Sequence, residues 1–244
     1  MPISLITTLR ASFAAHASPT LAAPMQAYMK SAMPFYGIPA PLRRQLTAET
    51  VKAHPAAGTA DLASTMLELW RTASHREERY AAVELPRLGR VHPKLVNLEL
   101  LRVAQEMVTS GAWWDWVDDL SGNLLARLLE RHPREIEPLL RQWARGDDLW
   151  LRRAAMLSQR SLDAEHFDAV LFYDCILPSI GPVAKFANEF FIRKGIGWAL
   201  RERSYAAPAE VAAFCAEYAR QLAPLTQREA LKIIHKRLPG RGEP

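Results

Sequence analysis

Apolar positions along this chain recur at helical spacing. Leu62, Met66, Leu69 and Trp70 stand at i, i+4, i+7 and i+8, the stripe of one amphipathic helix. Leu124, Leu125, Leu128 and Leu129 repeat the i, i+4 step further on. Sustained apolar/polar alternation is absent, so the pattern predicts helices and no convincing strand. Ala169 to Tyr173 could form a short strand, but its flanks read as helical. The punctuation between helices repeats as well. His54-Pro55, His92-Pro93 and His132-Pro133 each close one helical pattern and open another, with the prolines 38 and 40 residues apart. Proline suits the first position of a helix and discourages helix just before it.

Tryptophans echo this period: Trp70, Trp114, Trp150 and Trp198 are separated by 44, 36 and 48 residues. Helical-hairpin repeats of the HEAT or armadillo kind run at about 40–47 residues. The expected fold is therefore all-α, a curved HEAT-like solenoid in which each repeat buries its apolar face against its neighbours. No linker argues for a second domain. The expectation is one repeat domain over residues 1–237 and a frayed tail over 238–244.

Composition adds bounds. Of 244 residues, 49% are hydrophobic and 23% charged, which is globular rather than disordered. Lys and Arg exceed Asp and Glu by 31 to 26; clustered on one face, that excess would suit a polyanion such as nucleic acid. Cys175 and Cys215 lie far apart without metal-type spacing, and the seven histidines are scattered, so neither a metal nor another cofactor is expected. The opening residues lack a signal-peptide pattern, and no apolar run approaches the roughly 18–20 residues of a membrane span. A cytoplasmic, monomeric protein is the expectation.

Three segments could carry chemistry. Trp113-Trp114-Asp115-Trp116-Val117-Asp118-Asp119 puts three indoles and three carboxylates within seven residues. On a helix Trp114 and Asp118 share a face, and Trp116 and Leu120 share another, suited to the core. Such a π-rich, negative surface suits a cation or a sugar developing positive charge. A core tryptophan beside a helix-start aspartate would give the same spacing. In the second segment, around Trp150 to Arg153, Asp147 or Asp148 can cap a helix. Arg153 could there hold a phosphate, lie on the surface, or pair with Asp118. The third, Phe190 to Arg203, places Lys194, Trp198 and Arg201 at i, i+4 and i+7, a basic stripe around an indole. It could equally be a packing helix with a solvated edge. Its glycines, Gly195 and Gly197, would let a helix or ligand approach closely. Arg153 lies 39 residues after Trp114 and 45 before Trp198, one-repeat steps that would line a single concave surface.

At these residues the chain resembles the AlkD-like DNA alkylation repair glycosylases. The resemblance runs over nearly the whole sequence. It begins with Met25-Gln26-Ala27-Tyr28-Met29-Lys30 and Gly37-Ile38-Pro39-Ala40-Pro41-Leu42-Arg43-Arg44. Trp113-Trp114-Asp115-x-Val117-Asp118 and Trp150-Leu151-x-Arg153-Ala154-Ala155 follow, then the stretch from Phe190 to Glu202. The resemblance implies a HEAT-like solenoid whose concave basic face binds duplex DNA. It implies hydrolysis of the N-glycosidic bond of N3- and N7-alkylated purines, read through the backbone without a tight base pocket. Asp118 would be the catalytic carboxylate, Trp114 and Trp198 would contact the lesion nucleotide's sugar and backbone, and Arg153 would support the site and the DNA. Tyr28 and Lys30, Arg43 and Arg44, and Lys194, Arg201 and Arg203 are the expected DNA contacts.

The chain departs from the family pattern in three places. The stretch between Arg153 and Trp198 is longer, Arg203 stands where an aromatic is expected, and Trp116 replaces a small residue. A partner other than alkylated duplex DNA is not required. The rival readings are a non-catalytic helical-repeat protein that binds branched or damaged DNA, and a protein-binding scaffold.

Overall fold

A computed structural model describes residues 2–87 and 93–237. His92 and the tail 238–244 lie outside the described residues. Every regular element among those described is helical. The all-α expectation holds, and the Ala169 to Tyr173 run opens a helix. The chain divides into two compact units, Met1–Met107 and Val108–Pro244.

In the first unit, α1 (Pro2–Ala15) packs on α3 (Ala40–Ala53) and α4 (Thr59–Arg71), and α5 (Arg76–Glu84) packs on α3 and α4. Leu62, Met66, Leu69 and Trp70 all point inward, each at most 2% exposed, as their spacing requires. The short α2 (Pro19–Met29) starts at a proline that fits the first helical position. It is held to the loop before α3 by Ser18, whose N–H donates to the Tyr36 carbonyl at 2.8 Å. Gly37 turns that loop at φ 85°, and a β-carbon there would stand 2.7 Å from the Ala22 nitrogen, so only glycine fits.

The acids of α5 organise this unit. Glu77, Glu78 and Glu84 are all buried. The Glu77 carboxylate accepts the backbone N–H groups of Tyr36, Gly37 and Ile38 at 3.0, 2.9 and 3.1 Å. Glu78 accepts from Arg10 at 2.8 Å, Ser74 at 2.7 Å and Tyr36 Oη at 3.1 Å. Glu84 receives Arg43, Arg44 and Arg87 at 2.8, 3.0 and 3.0 Å. A charge run such as Arg76-Glu77-Glu78-Arg79 usually marks a solvated helix face; here its acids are buried, because each carboxylate has enough donors to offset its lost hydration.

α6 (Leu100–Gly111) crosses the boundary between the units. In the second unit α7 (Trp114–Leu120) runs through a π-helical segment, Ser121–Leu125, into α8 (Ala126–Arg131). Helices α9 (Pro133–Arg145), α10 (Leu149–Leu157), α11 (Ala169–Ile176), α12 (Phe190–Ala206), α13 (Pro208–Glu217) and α14 (Pro224–Arg237) complete it. Pro133, Pro208 and Pro224 each open their helix. α10 packs on α7, α9 and α12, and α12 packs on α14. The core gathers Met156, Leu157, Phe172, Ile176, Ile192, Ile196, Leu200 and Phe214. Gly197 makes the α12–α14 approach possible: a β-carbon there would lie 3.0 Å from the Thr226 carbonyl oxygen and 2.7 Å from Glu229 Cβ.

Candidate active site

The chain reverses between α6 and α7 at Ala112, which takes the left-handed φ of 47°. Gly111 ends α6, and the left-handed conformation falls on Ala112, whose side chain rarely adopts it. Trp113 follows in extended conformation and precedes the first turn of α7. Its ring packs 5.4 Å from Phe191 and 6.2 Å from Trp150, with Trp150 and Phe191 5.1 Å apart. This aromatic cluster joins the starts of α7, α10 and α12. On α7 itself Trp116, Val117 and Leu120 are buried, which orients the helix. Trp116 packs inward as its spacing predicts, and half-buried Trp114 lies one turn before Asp118.

Asp118 is 8% exposed and Arg153 is 3% exposed. Arg153 meets the carboxylate with a two-pronged bond, Nε to Oδ1 at 2.8 Å and Nη2 to Oδ2 at 2.9 Å. Its remaining prong, Nη1, donates to the Phe191 carbonyl. Of the alternatives for Arg153, pairing with Asp118 is therefore the one that holds, and a solvent-facing side chain is not. Planar, five-donor arginine is the side chain suited to this task. The geometry of α10 that delivers it is fixed by Asp148, which caps the helix by accepting from Trp150 and Leu151 N–H at 2.8 Å each. Asp147 instead pairs with Lys185. One turn into α12, Gly195 leaves room for the guanidinium: a β-carbon would lie 2.9 Å from Arg153 Nη1 and 3.1 Å from Met156 Sδ.

Burial pushes the Asp118 carboxyl above its ordinary value. The bonds and charge of Arg153 and the charge of Arg160 oppose that rise, while Asp115 adds to it. The site thus holds a carboxylate whose ionised form is sustained by two nearby cations against loss of water.

Arg160 has no counterpart among the residues singled out from sequence. It lies in the turn beyond α10, seven residues after Arg153. Its guanidinium sits 4.3 Å from the centre of the Trp198 ring, and Nη2 donates to the Asp118 main-chain carbonyl at 3.3 Å. Half-buried Trp198 donates its ring N–H to Glu202 Oε1 at 2.8 Å. Asp118, Arg153, Arg160 and Trp198 therefore form one connected group. The repeat-step spacing relates Trp114, Arg153 and Trp198, with Asp118 one turn after Trp114; no spacing points to Arg160, which lies beyond the end of α10.

The other expected DNA contacts are placed as follows. Lys194 and Arg201 lie on one stripe of α12, but both reach the same carboxylate, Glu229 on α14, at 2.7 and 2.6 Å. Lys194 is the main reason the Glu229 carboxyl is held below its usual range. Arg203 is bound by both oxygens of Glu210, at 3.1 and 2.7 Å, and lies 4.1 Å above the Phe167 ring. In the first unit Tyr28 is 77% exposed, and Lys30 is exposed at the end of α2, where φ is 49°. Arg43 is buried between Glu84 and the Tyr80 ring, whose centre is 4.4 Å away, whereas the Arg44 side chain keeps 45% of its surface exposed. The paired arginines of that motif thus divide into an interior one and a surface one.

Among the described residues no group of three or more His, Cys, Asp or Glu is arranged to hold a metal ion, and no helix is long and apolar enough to cross a membrane.

The sequence model of a family described as "DNA alkylation repair enzyme" matches residues 9–234. No curated protein matches the chain. Among solved structures it is similar to the "Predicted DNA alkylation repair enzyme from Enterococcus faecalis", with 30% identity and a TM-score of 0.76. That similarity covers 90% of this chain and 97% of the other.

Proposed function

The chain belongs to the DNA alkylation repair enzymes, and from that premise we propose that it hydrolyses the N-glycosidic bond of cationic N3- and N7-alkylated purines in duplex DNA. The observation that carries this reading is the buried Asp118 carboxylate, gripped on both oxygens by Arg153 and linked through Arg160 to Trp198.

Alkylation at N3 or N7 gives the purine a formal positive charge, so it departs without a strong general acid. What must be stabilised is the sugar left behind, which develops oxocarbenium character as the bond to the base breaks. A fixed carboxylate aimed at that charge lowers the barrier without reorganising as the reaction proceeds. Each Asp118 oxygen accepts one N–H from Arg153, and a carboxylate oxygen has a second lone-pair site. Those remaining positions can face the sugar and hold the attacking water. The indole faces of Trp114 and Trp198 are apt for a cationic sugar and its backbone. No step requires an amine nucleophile, so the product is an abasic site in an unbroken strand. Lesion choice then follows charge: cationic adducts leave and neutral ones do not. Tyr28, Lys30 and Arg44, the exposed members of the opening motifs, are the contacts proposed for the DNA backbone.

Incubation with methylated duplex DNA is expected to release 3-methyladenine or 7-methylguanine, measured by chromatography of the free base. Asp118→Asn should lower the single-turnover rate by about 100-fold or more. Because burial raises the Asp118 carboxyl, the rate should fall with decreasing pH at a point above the ordinary aspartate value of 3.8, as protonation removes the charge. Equal release by wild type and Asp118→Asn would overturn the mechanism. Tight, salt-dependent binding with no release by the wild type would favour a non-catalytic DNA-binding protein.

A further inference from the structure

Trp198 is held from two directions that family membership does not explain. Its ring nitrogen is anchored to Glu202, one turn along the same helix. One of its faces is covered by the Arg160 guanidinium, which in turn is bonded to the main chain of Asp118. Arg160 is itself seated by its neighbours. Gly122, in the π-helical segment that follows Asp118, has no side chain where Arg160 packs, and its carbonyl accepts from Ser161 Oγ. The Arg160 Nε is buried without a hydrogen-bond partner. A guanidinium in water would keep that donor hydrated, so the stacking and the carbonyl bond must favour this placement.

We infer that Arg160 is a positioning residue, one that locks the plane of Trp198 to the Asp118 helix and so holds the indole in place for the substrate. This assignment rests on the glycosylase reading given above for its catalytic consequence, while the lock itself is a property of the free protein. A cation on one ring face also bars a second cation from that side. A sugar acquiring positive charge is then kept off that face. Three charged groups act on the Asp118 carboxylate here, Arg153, Arg160 and Asp115. Arg160 is the one whose charge serves both the indole and the carboxylate.

Two readouts test this on the full chain. In the free protein, the indole N–H resonance of Trp198, assigned with Trp198→Phe, should shift and broaden in Arg160→Gln. On methylated duplex DNA, Arg160→Gln should slow single-turnover base release by about tenfold, a size set by one desolvated cation–π contact. The acid limb of its rate–pH profile should also move to higher pH, since a cation favouring ionised Asp118 is gone. Arg160→Lys keeps the charge but not the planar stack. It should leave the acid limb in place while only partly restoring the resonance and the rate. Unfolding midpoints of both variants monitor the fold. An unchanged Trp198 resonance together with an unchanged rate in Arg160→Gln would overturn the assignment. A resonance that depends on Arg160 in a wild type releasing no base would support the lock and overturn the glycosylase reading instead.

Discussion

The two units each bury carboxylates, and they treat them differently. On α5, Glu77 collects three backbone N–H groups and Glu84 collects three guanidinium groups. Those acids each gather donors from three residues, and what they hold is the loop before α3 and the neighbouring helices. Asp118 is also buried, yet among the described residues its side chain has a single partner, Arg153, with one N–H for each oxygen. Burial alone therefore does not mark a functional acid. The proposed mark is a carboxylate held by few donors, so that part of its acceptor capacity is left for something outside the protein.

That contrast can be broken most forcefully at Glu77. Glu77→Ala leaves three buried backbone donors unsatisfied and should lower stability by about 3–5 kcal/mol in urea unfolding. Asp118→Asn should be milder in the same assay, because the amide oxygen still accepts one Arg153 N–H, although the guanidinium loses its counter-ion. The sign supports this: a carboxyl raised by burial binds protons more readily in the folded chain, so its ionised form weakens the fold as pH rises through the raised value. If the two substitutions were equally destabilising, the distinction between the acids would fail.

Arg153→Met comes next. It strands a mostly buried charge and should cost about 3 kcal/mol, and it should also abolish most base release. Here stability and activity fall together, whereas in Asp118→Asn, which keeps one acceptor for Arg153, activity should fall much further than stability. A stable, active Arg153→Met would show that the guanidinium is not what holds the carboxylate.

Gly195→Ala is the finest probe. Its β-carbon would press on Arg153 Nη1, which is pinned on its other side by the Phe191 carbonyl. A loss of about 1 kcal/mol and a few-fold drop in release are expected, because the contact is with the end of a side chain and can relax by a few tenths of an ångström. A neutral result would mean that the Arg153–Asp118 pair tolerates displacement.

Much of the helical frame is legible in the sequence because helix periodicity is local. Leu62 to Trp70 and Leu124 to Leu129 announce their buried faces through neighbours only three and four residues away. Asp118 and Arg153 were also within reach, since a repeat step relates the helices that carry them and pairing was one of the alternatives for Arg153. The charged segment of α5 was not. Glu77 reads as a solvated helix residue, and its partners lie about forty residues away in sequence. Arg43 and Arg44 look equivalent in a motif, and only the Glu84 carboxylate and the Tyr80 ring decide which turns inward. The stripe of Lys194, Trp198 and Arg201 is legible from helical spacing, while Glu229, which pairs with both of its cations, comes from another helix. Arg160 is not legible in the sequence, because it sits in a turn, where no periodicity reports on direction.

The π-helical segment between α7 and α8 has a consequence for how this helix can change. Residues 114–131 form one rod, but the wider turn at Ser121–Leu125 carries the chain through an extra residue, and each residue of an α-helix advances the side chains by about 100°. The two ends of the rod are therefore out of phase. Leu128 and Leu129 keep time with the core, while Asp118 keeps time with Arg153. Removing a single residue from the wide turn would force both ends into one phase. Either the carboxylate would swing away from its arginine or the leucines would swing out of the interior.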